Sequence, residues 1–94
     1  MTFPFSEEVL NDKIFRTFSF NVDDEELTWH RDVRDRLVKI VSGEGWYLQL
    51  DEELPFILHV GACYRIPKRV WHRVLKKKGC TDLSVEITEV DSFL

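Results

Sequence analysis

The apolar positions of this chain recur mostly at every second residue. Turn-forming residues interrupt them at intervals of roughly eight to twelve residues. That is the period of a β-strand, whose side chains point alternately to opposite faces. Ile14 to Val22, rich in aromatic and β-branched residues, predicts a first strand. Leu27 to Val33 can be extended, and Arg36 to Val41 predicts a second strand. Ser42-Gly43-Glu44-Gly45 predicts a tight turn, since glycine tolerates the positive φ such turns need, and Trp46 to Leu50 the partner strand beyond it. Leu54 to Val60 reads as a further strand with Pro55 at its start or on an edge. Cys63 to Ile66, Val70 to Leu75 and Leu83 to Val90 complete the set, parted by Pro67-Lys68-Arg69 and the basic turn Lys76 to Gly79. Before them, Ser6 followed by Glu7-Glu8 suggests a capped helical turn within residues 1–13.

Seven or eight short strands with no helix-length periodicity predict an all-β barrel or sandwich. With 94 residues the chain is read as one domain, an N-terminal extension over 1–13 followed by a β-barrel over 14–90. The 44% hydrophobic and 13% aromatic content supplies a core that a disordered segment would lack. The net charge of -4 argues against a general nucleic-acid binder. Charge is nonetheless uneven. Seven acids precede His30, whereas eleven of the thirteen basic residues lie between Arg31 and Lys78. Nucleic-acid binding through Arg65, Lys68, Arg69, Arg73 and Lys76 to Lys78 is therefore a minor alternative, and a solvated basic face is the simpler one. The start of the sequence lacks a basic n-region and apolar run, and no window is apolar enough to span a bilayer. Cys63 and Cys80 fit no metal-finger spacing, which suits a cytoplasmic protein with two reduced thiols.

Strand parity gathers the candidate chemistry. In an extended segment His30, Asp32, Arg34 and Arg36 share the face of Val38 and Ile40, which is the face expected to turn inward. His72, between Val70 and Val74, is placed inward by the same reasoning. Two imidazoles and a carboxylate on neighbouring strands suit a divalent metal ion such as iron, manganese, zinc or nickel. From the residues alone, an inert, satisfied polar cluster in which Arg36 pairs with Asp32 or Asp35 comes ahead of the metal. His59 falls near a strand end and reads as a rim residue. Trp29 and Trp71 each precede a candidate His and so face away from it.

With those residues in place, the two stretches Leu27 to Gly43 and Gly61 to His72 resemble the paired motifs of the cupin superfamily, a likeness that runs over Leu27 to Val90. The first motif, G-x5-H-x-H-x(3,4)-E-x6-G, is matched by His30, by Asp32 in place of the second His, by Arg36 in place of the Glu, and by Gly43. Its opening Gly falls on Asp24. The second, G-x5-P-x-G-x2-H-x3-N, is matched by Gly61, Pro67 and His72, with Arg69 and Lys76 replacing its Gly and Asn. The resemblance implies a double-stranded β-helix, or jelly-roll barrel, and a metal site in its pocket. Full-pattern cupins use three His and one Glu. This sequence offers His30, Asp32 and His72, with a cation where the Glu belongs.

Gln49 and Tyr47 alternate on the strand after the Gly turn, at positions that in cupins often face the pocket. The opposite parity, with Trp46, Leu48 and Leu50 inward, is open as well. Two functions follow as expectations. One is a metal-dependent enzyme, dioxygenase- or isomerase-like, acting on a small and possibly anionic molecule held by Arg36 or Arg69. The other is a metal-free cupin that binds a small molecule or protein without catalysis. The resemblance also implies a homodimer, with Ile14 to Val22 as the contact strand.

Overall fold

The computed structural model describes residues 3–91. Residues 1 and 2 of the expected extension and residues 92–94 lie outside the described residues. Eight strands follow one another: β1 Phe5–Leu10, β2 Lys13–Phe18, β3 Asp35–Ser42, β4 Trp46–Leu50, β5 Phe56–Ile57, β6 Cys63–Ile66, β7 His72–Lys76 and β8 Leu83–Val90. They form two antiparallel sheets, a five-stranded one ordered β1-β2-β8-β3-β6 and a three-stranded one ordered β5-β4-β7. Among the described residues no helix is long and apolar enough to cross a membrane.

The capped helical turn expected near Ser6 is instead strand β1, hydrogen-bonded along its length to β2. The signal that decides it is Asn11-Asp12, whose φ values of 52° and 64° make the two-residue hairpin turn these residue types favour. A run of two acids after a serine imitates a helix start, but six residues are too few to nucleate a helix unaided. Phe5–Leu10 is thus an integral part of the large sheet. The first strand from Ile14 also ends early, at Phe18, and Leu54 to Val60 contributes only Phe56–Ile57. The extended segment expected from Leu27 to Val33 carries a short 3-10 turn before it, Asp24–Glu26, and makes a single bridge at His30.

Gly43 and Gly45 join β3 to β4, but β4 is not the partner of β3. The chain crosses from the large sheet to the small one there, and β4 pairs with β5 and β7. A register shift between Ile40 and Ser42 opens this crossing. Gly43 has φ +124°, and a Cβ on it would lie 2.7 Å from the carbonyl oxygen of Asp82 and 2.9 Å from the Cα of Leu83. Only a residue without a side chain lets the start of β8 approach so closely.

Alternation then places the core. Ile40, Trp46, Leu48, Leu83, Val85 and Ile87 are all buried between the sheets. Each fully buried hydrophobic side chain of this size contributes roughly 1.5–3 kcal/mol relative to exposure. Trp46 can be buried because its indole N–H donates to the carbonyl of Thr81 at 2.6 Å, leaving no unsatisfied donor.

Candidate metal centre and cavity

The inward residues of both sheets enclose a cavity of about 460 Å3. Most of its wall is aliphatic or aromatic, including Phe5, Phe18, Leu48, Leu58, Val74 and Ile87. Arg36, Val38 and Ile40 of β3 line it together, as their shared parity requires. At one end stand His30 and His72.

These two histidines meet because the backbones of 30 and 72 exchange hydrogen bonds, His30 N–H to the His72 carbonyl at 2.9 Å and the reverse at 2.8 Å. The rings pack edge to face with centroids 4.1 Å apart. Two further bonds strap the segment before β3 to the turn before β7. The Arg69 N–H donates to the Asp32 carbonyl at 2.7 Å, and the Lys68 N–H donates to Oδ1 of buried Asp35 at 2.7 Å. The two sequence stretches are thus joined by backbone, and their side chains inherit a fixed relation.

His30, Asp32 and His72 each direct a ligand-type atom to one place, all within 4.8 Å of one another. His72 is buried, and its Nδ1 donates to the Val70 carbonyl at 2.8 Å. His30, exposed at the rim, holds its Nδ1 against the Thr28 carbonyl at 3.3 Å. A carbonyl can only accept, so each Nδ1 carries the proton and each neutral ring keeps a lone pair on Nε2. Asp32 Oδ2 lies 3.3 Å from His72 Nε2. Yet that oxygen is buried without a hydrogen bond among the described residues. With His72 neutral, two lone pairs face each other. A second proton on His72 or a cation among the three groups removes the conflict.

Though His30 reaches solvent, partial burial of its ring and the neighbouring His72 lower its pKa, against the opposing pull of the Thr28 carbonyl and Asp32, so the ring favours the neutral form that ligates metals. Burial pushes the Asp32 carboxyl up, but positive, donor character at the His72 ring, the Arg36 guanidinium and, last, His30 outweigh it and hold Asp32 below the usual value.

Arg36, where the resembling motif has a metal-binding Glu, does not face the site as a bare charge. Its Nη1 lies 3.2 Å from Asp32 Oδ1, and its Nε and Nη2 both reach Glu89 Oε2, at 3.2 and 3.0 Å. Asp32 rather than Asp35 is thus the aspartate of this ion pair, and Asp35 instead secures the turn at Lys68. Glu89 was not anticipated, although it shares the parity of Leu83, Val85 and Ile87 and strict alternation places it inward. Arg16 likewise lines the cavity through the parity of β2, and its Nε donates to Glu7 of β1.

Other expected pocket residues are elsewhere. Trp46 and Leu48 take the inward face of β4, so Tyr47 and Gln49 face outward; Gln49 accepts from Arg73 Nε at 2.9 Å and donates to the Glu53 carbonyl at 3.0 Å. The deciding term is the hydrophobic surface of Trp46 and Leu48, far larger than any gain from a polar amide inside. Arg34 is exposed, outside the cavity that its parity suggested. Arg69 is exposed at a turn, with φ 64° where the motif has Gly. Arg69→Gly is therefore expected to raise stability by about 0.5–1 kcal/mol, read as a higher melting temperature. A lower one would mean that the arginine side chain outweighs its backbone strain. Gly61 has φ 87° in the loop before β6, and Pro67 opens the turn before β7. Trp29 and Trp71 lie outside, each beneath a guanidinium, Arg73 at 4.6 Å and Arg31 at 4.9 Å.

No protein-family model and no curated protein sequence matches the chain. Solved structures do. A cupin domain from Bordetella pertussis is 22% identical, with 96% of this chain and 98% of that one covered and a TM-score of 0.61. A cupin-2 domain protein from Shewanella frigidimarina is 23% identical over 87% of this chain and 76% of that one, with a TM-score of 0.60. HppE in its Fe(II) form is 10% identical, with 83% of this chain and 41% of that chain covered and a TM-score of 0.67. Two facing antiparallel sheets, a cavity between them and these likenesses carry one conclusion: the chain has the cupin fold.

Proposed function

We propose that this protein is a small metal-binding cupin in which His30, Asp32 and His72 hold one divalent ion at the end of an apolar ligand cavity. The observation that carries this is the buried Asp32 Oδ2, unbonded and facing two imidazoles whose Nδ1–H groups are both tied to carbonyls. Fixing Nδ1 in this way is how a protein presents Nε2 to a metal. Two His and one carboxylate fit Fe(II) and suit manganese, zinc or nickel, and the likeness to HppE in its Fe(II) form favours testing iron first. Arg36 does not defeat the site, because Asp32 and Glu89 together exceed its charge. When bound, such an ion supplies a Lewis acid that polarises an oxygen of the ligand. The chain's own residues orient that ligand and keep water from its apolar body.

Chelated protein is reloaded with Fe(II) without oxygen, or with Mn, Zn or Ni, and analysed for metal. Wild type is expected to retain about one ion per chain and His72→Ala close to none. Wild type well below that ratio for all four metals overturns the reading. The second reading, a metal-free binding module in which His72 is protonated beside Asp32, then gains support from an unchanged melting temperature in chelator.

A further inference from the structure

The geometry points to an uncharged ligand with an apolar body, rather than an anion, as the occupant of the cavity. This rests on the proposal that the cavity is a ligand site, but not on the presence of the metal. A volume of about 460 Å3 is within the range of roughly 300–1,000 Å3 usual for small-molecule sites.

Two arginines line the cavity, the groups an anion would seek. Arg36 is engaged on both edges of its guanidinium, by Asp32 and by Glu89. Arg16 gives its Nε to Glu7 and lies over the Phe5 ring at 4.2 Å. A carboxylate or phosphate entering the cavity must compete with these acids for a guanidinium already neutralised or stay unpaired against hydrocarbon, which is costly either way.

The phenol in the wall is committed as well. Tyr64 Oη accepts from the His59 N–H at 2.9 Å and donates to the Ile57 carbonyl at 3.4 Å. The other lining charge, Glu26, is negative and makes no ion pair among the described residues. Arg16 and Arg36 thus stand against Glu7, Glu26, Asp32 and Glu89. A divalent ion at the triad would bring that balance only to neutrality. Both arginines of the wall are thus matched by acids, whereas Phe18, Leu48, Leu58, Val74 and Ile87 favour an apolar body.

Two fluorescent probes with one ring skeleton separate the possibilities in chelator-treated protein. N-phenyl-1-naphthylamine is uncharged, and 8-anilinonaphthalene-1-sulfonate adds a sulfonate. The uncharged probe is expected to bind saturably, and the sulfonate about tenfold more weakly or worse. Val74→Phe, which fills the cavity, is expected to weaken the uncharged probe by about tenfold, whereas Leu75→Phe on the opposite face of β7 leaves it unchanged. Equal or tighter binding of the sulfonate, no binding of the uncharged probe, or equal effects of the two variants overturns the proposal. Because the probes are read without metal, loss of probe binding with intact metal loading refutes the ligand class alone. The converse result refutes the metal centre alone.

Discussion

Gly43→Ala is expected to cost about 3 kcal/mol or more of unfolding free energy, a large share of what holds a domain of this size together. Two penalties combine at this residue. Its φ of +124° is a conformation that an L side chain rarely adopts. The added Cβ would also press on backbone, the Asp82 carbonyl at 2.7 Å and the Leu83 Cα at 2.9 Å, which no rotamer change can relieve. Leu83 is completely buried, so moving it disturbs the core at the point where the chain crosses between sheets. Gly79→Ala is the control. Its φ is +87° but a Cβ there meets nothing within 4 Å, so only the backbone penalty of about 1 kcal/mol applies. Denaturant unfolding of both variants checks the claim. If Gly43→Ala falls within experimental error of Gly79→Ala, the close approach to β8 is not tight in solution.

Arg36→Met is expected to lose about 2 kcal/mol at neutral pH in chelator and to recover much of it when metal is added. The variant leaves Asp32 and Glu89 without the guanidinium that both contact. Removing one partner of a buried charge cluster costs about 3–5 kcal/mol, and the partial exposure of Glu89 reduces that here. A divalent ion on Asp32 replaces the missing positive charge. The pH dependence has a definite sign. Asp32 is held below its ordinary pKa when folded, so its contribution is present above that ordinary value and fades as pH falls through the folded one. Without Arg36 the folded pKa rises and the contribution shrinks. The gap between wild type and variant is therefore expected to be widest near neutrality and to close on acidification. A gap that widens toward acid would show that the stability of Arg36 does not come from Asp32. An equal loss with and without metal would remove the ion from the account.

Much of this arrangement is legible in the sequence where two independent signals agree. Leu83 to Val90 alternates cleanly between turns, and strand β8 has those limits. Arg36, Val38 and Ile40 share a face in the sequence and in the cavity wall. His30 and His72 were placed by parity and by motif spacing together, and they meet. Where one signal stood alone, tertiary context decided. The polarity of Gln49 alone points it inward, and the greater hydrophobic surface of Trp46 and Leu48 overrides it. Ser6-Glu7-Glu8 alone imitates a helix start, while Asn11-Asp12, the stronger local determinant, makes the segment a hairpin strand. Strand pairing was beyond local pattern altogether. A Gly-rich link reads as a hairpin whether the chain turns back on itself or crosses to another sheet, and what separates the cases is the distant start of β8 pressed against Gly43.

The position of β8 has a consequence for how the protein comes into being. It follows all the other strands in the chain, yet lies between β2 and β3 in the large sheet. During synthesis at about 5–20 residues per second, β2 and β3 leave the ribosome seconds before the strand that joins them. In that interval the apolar faces carrying Ile14, Phe18, Val38 and Ile40 have no central strand to close over. The nascent chain is then most exposed to chaperones and to mispairing with other chains, and completion of β8 is the event that ends that exposure.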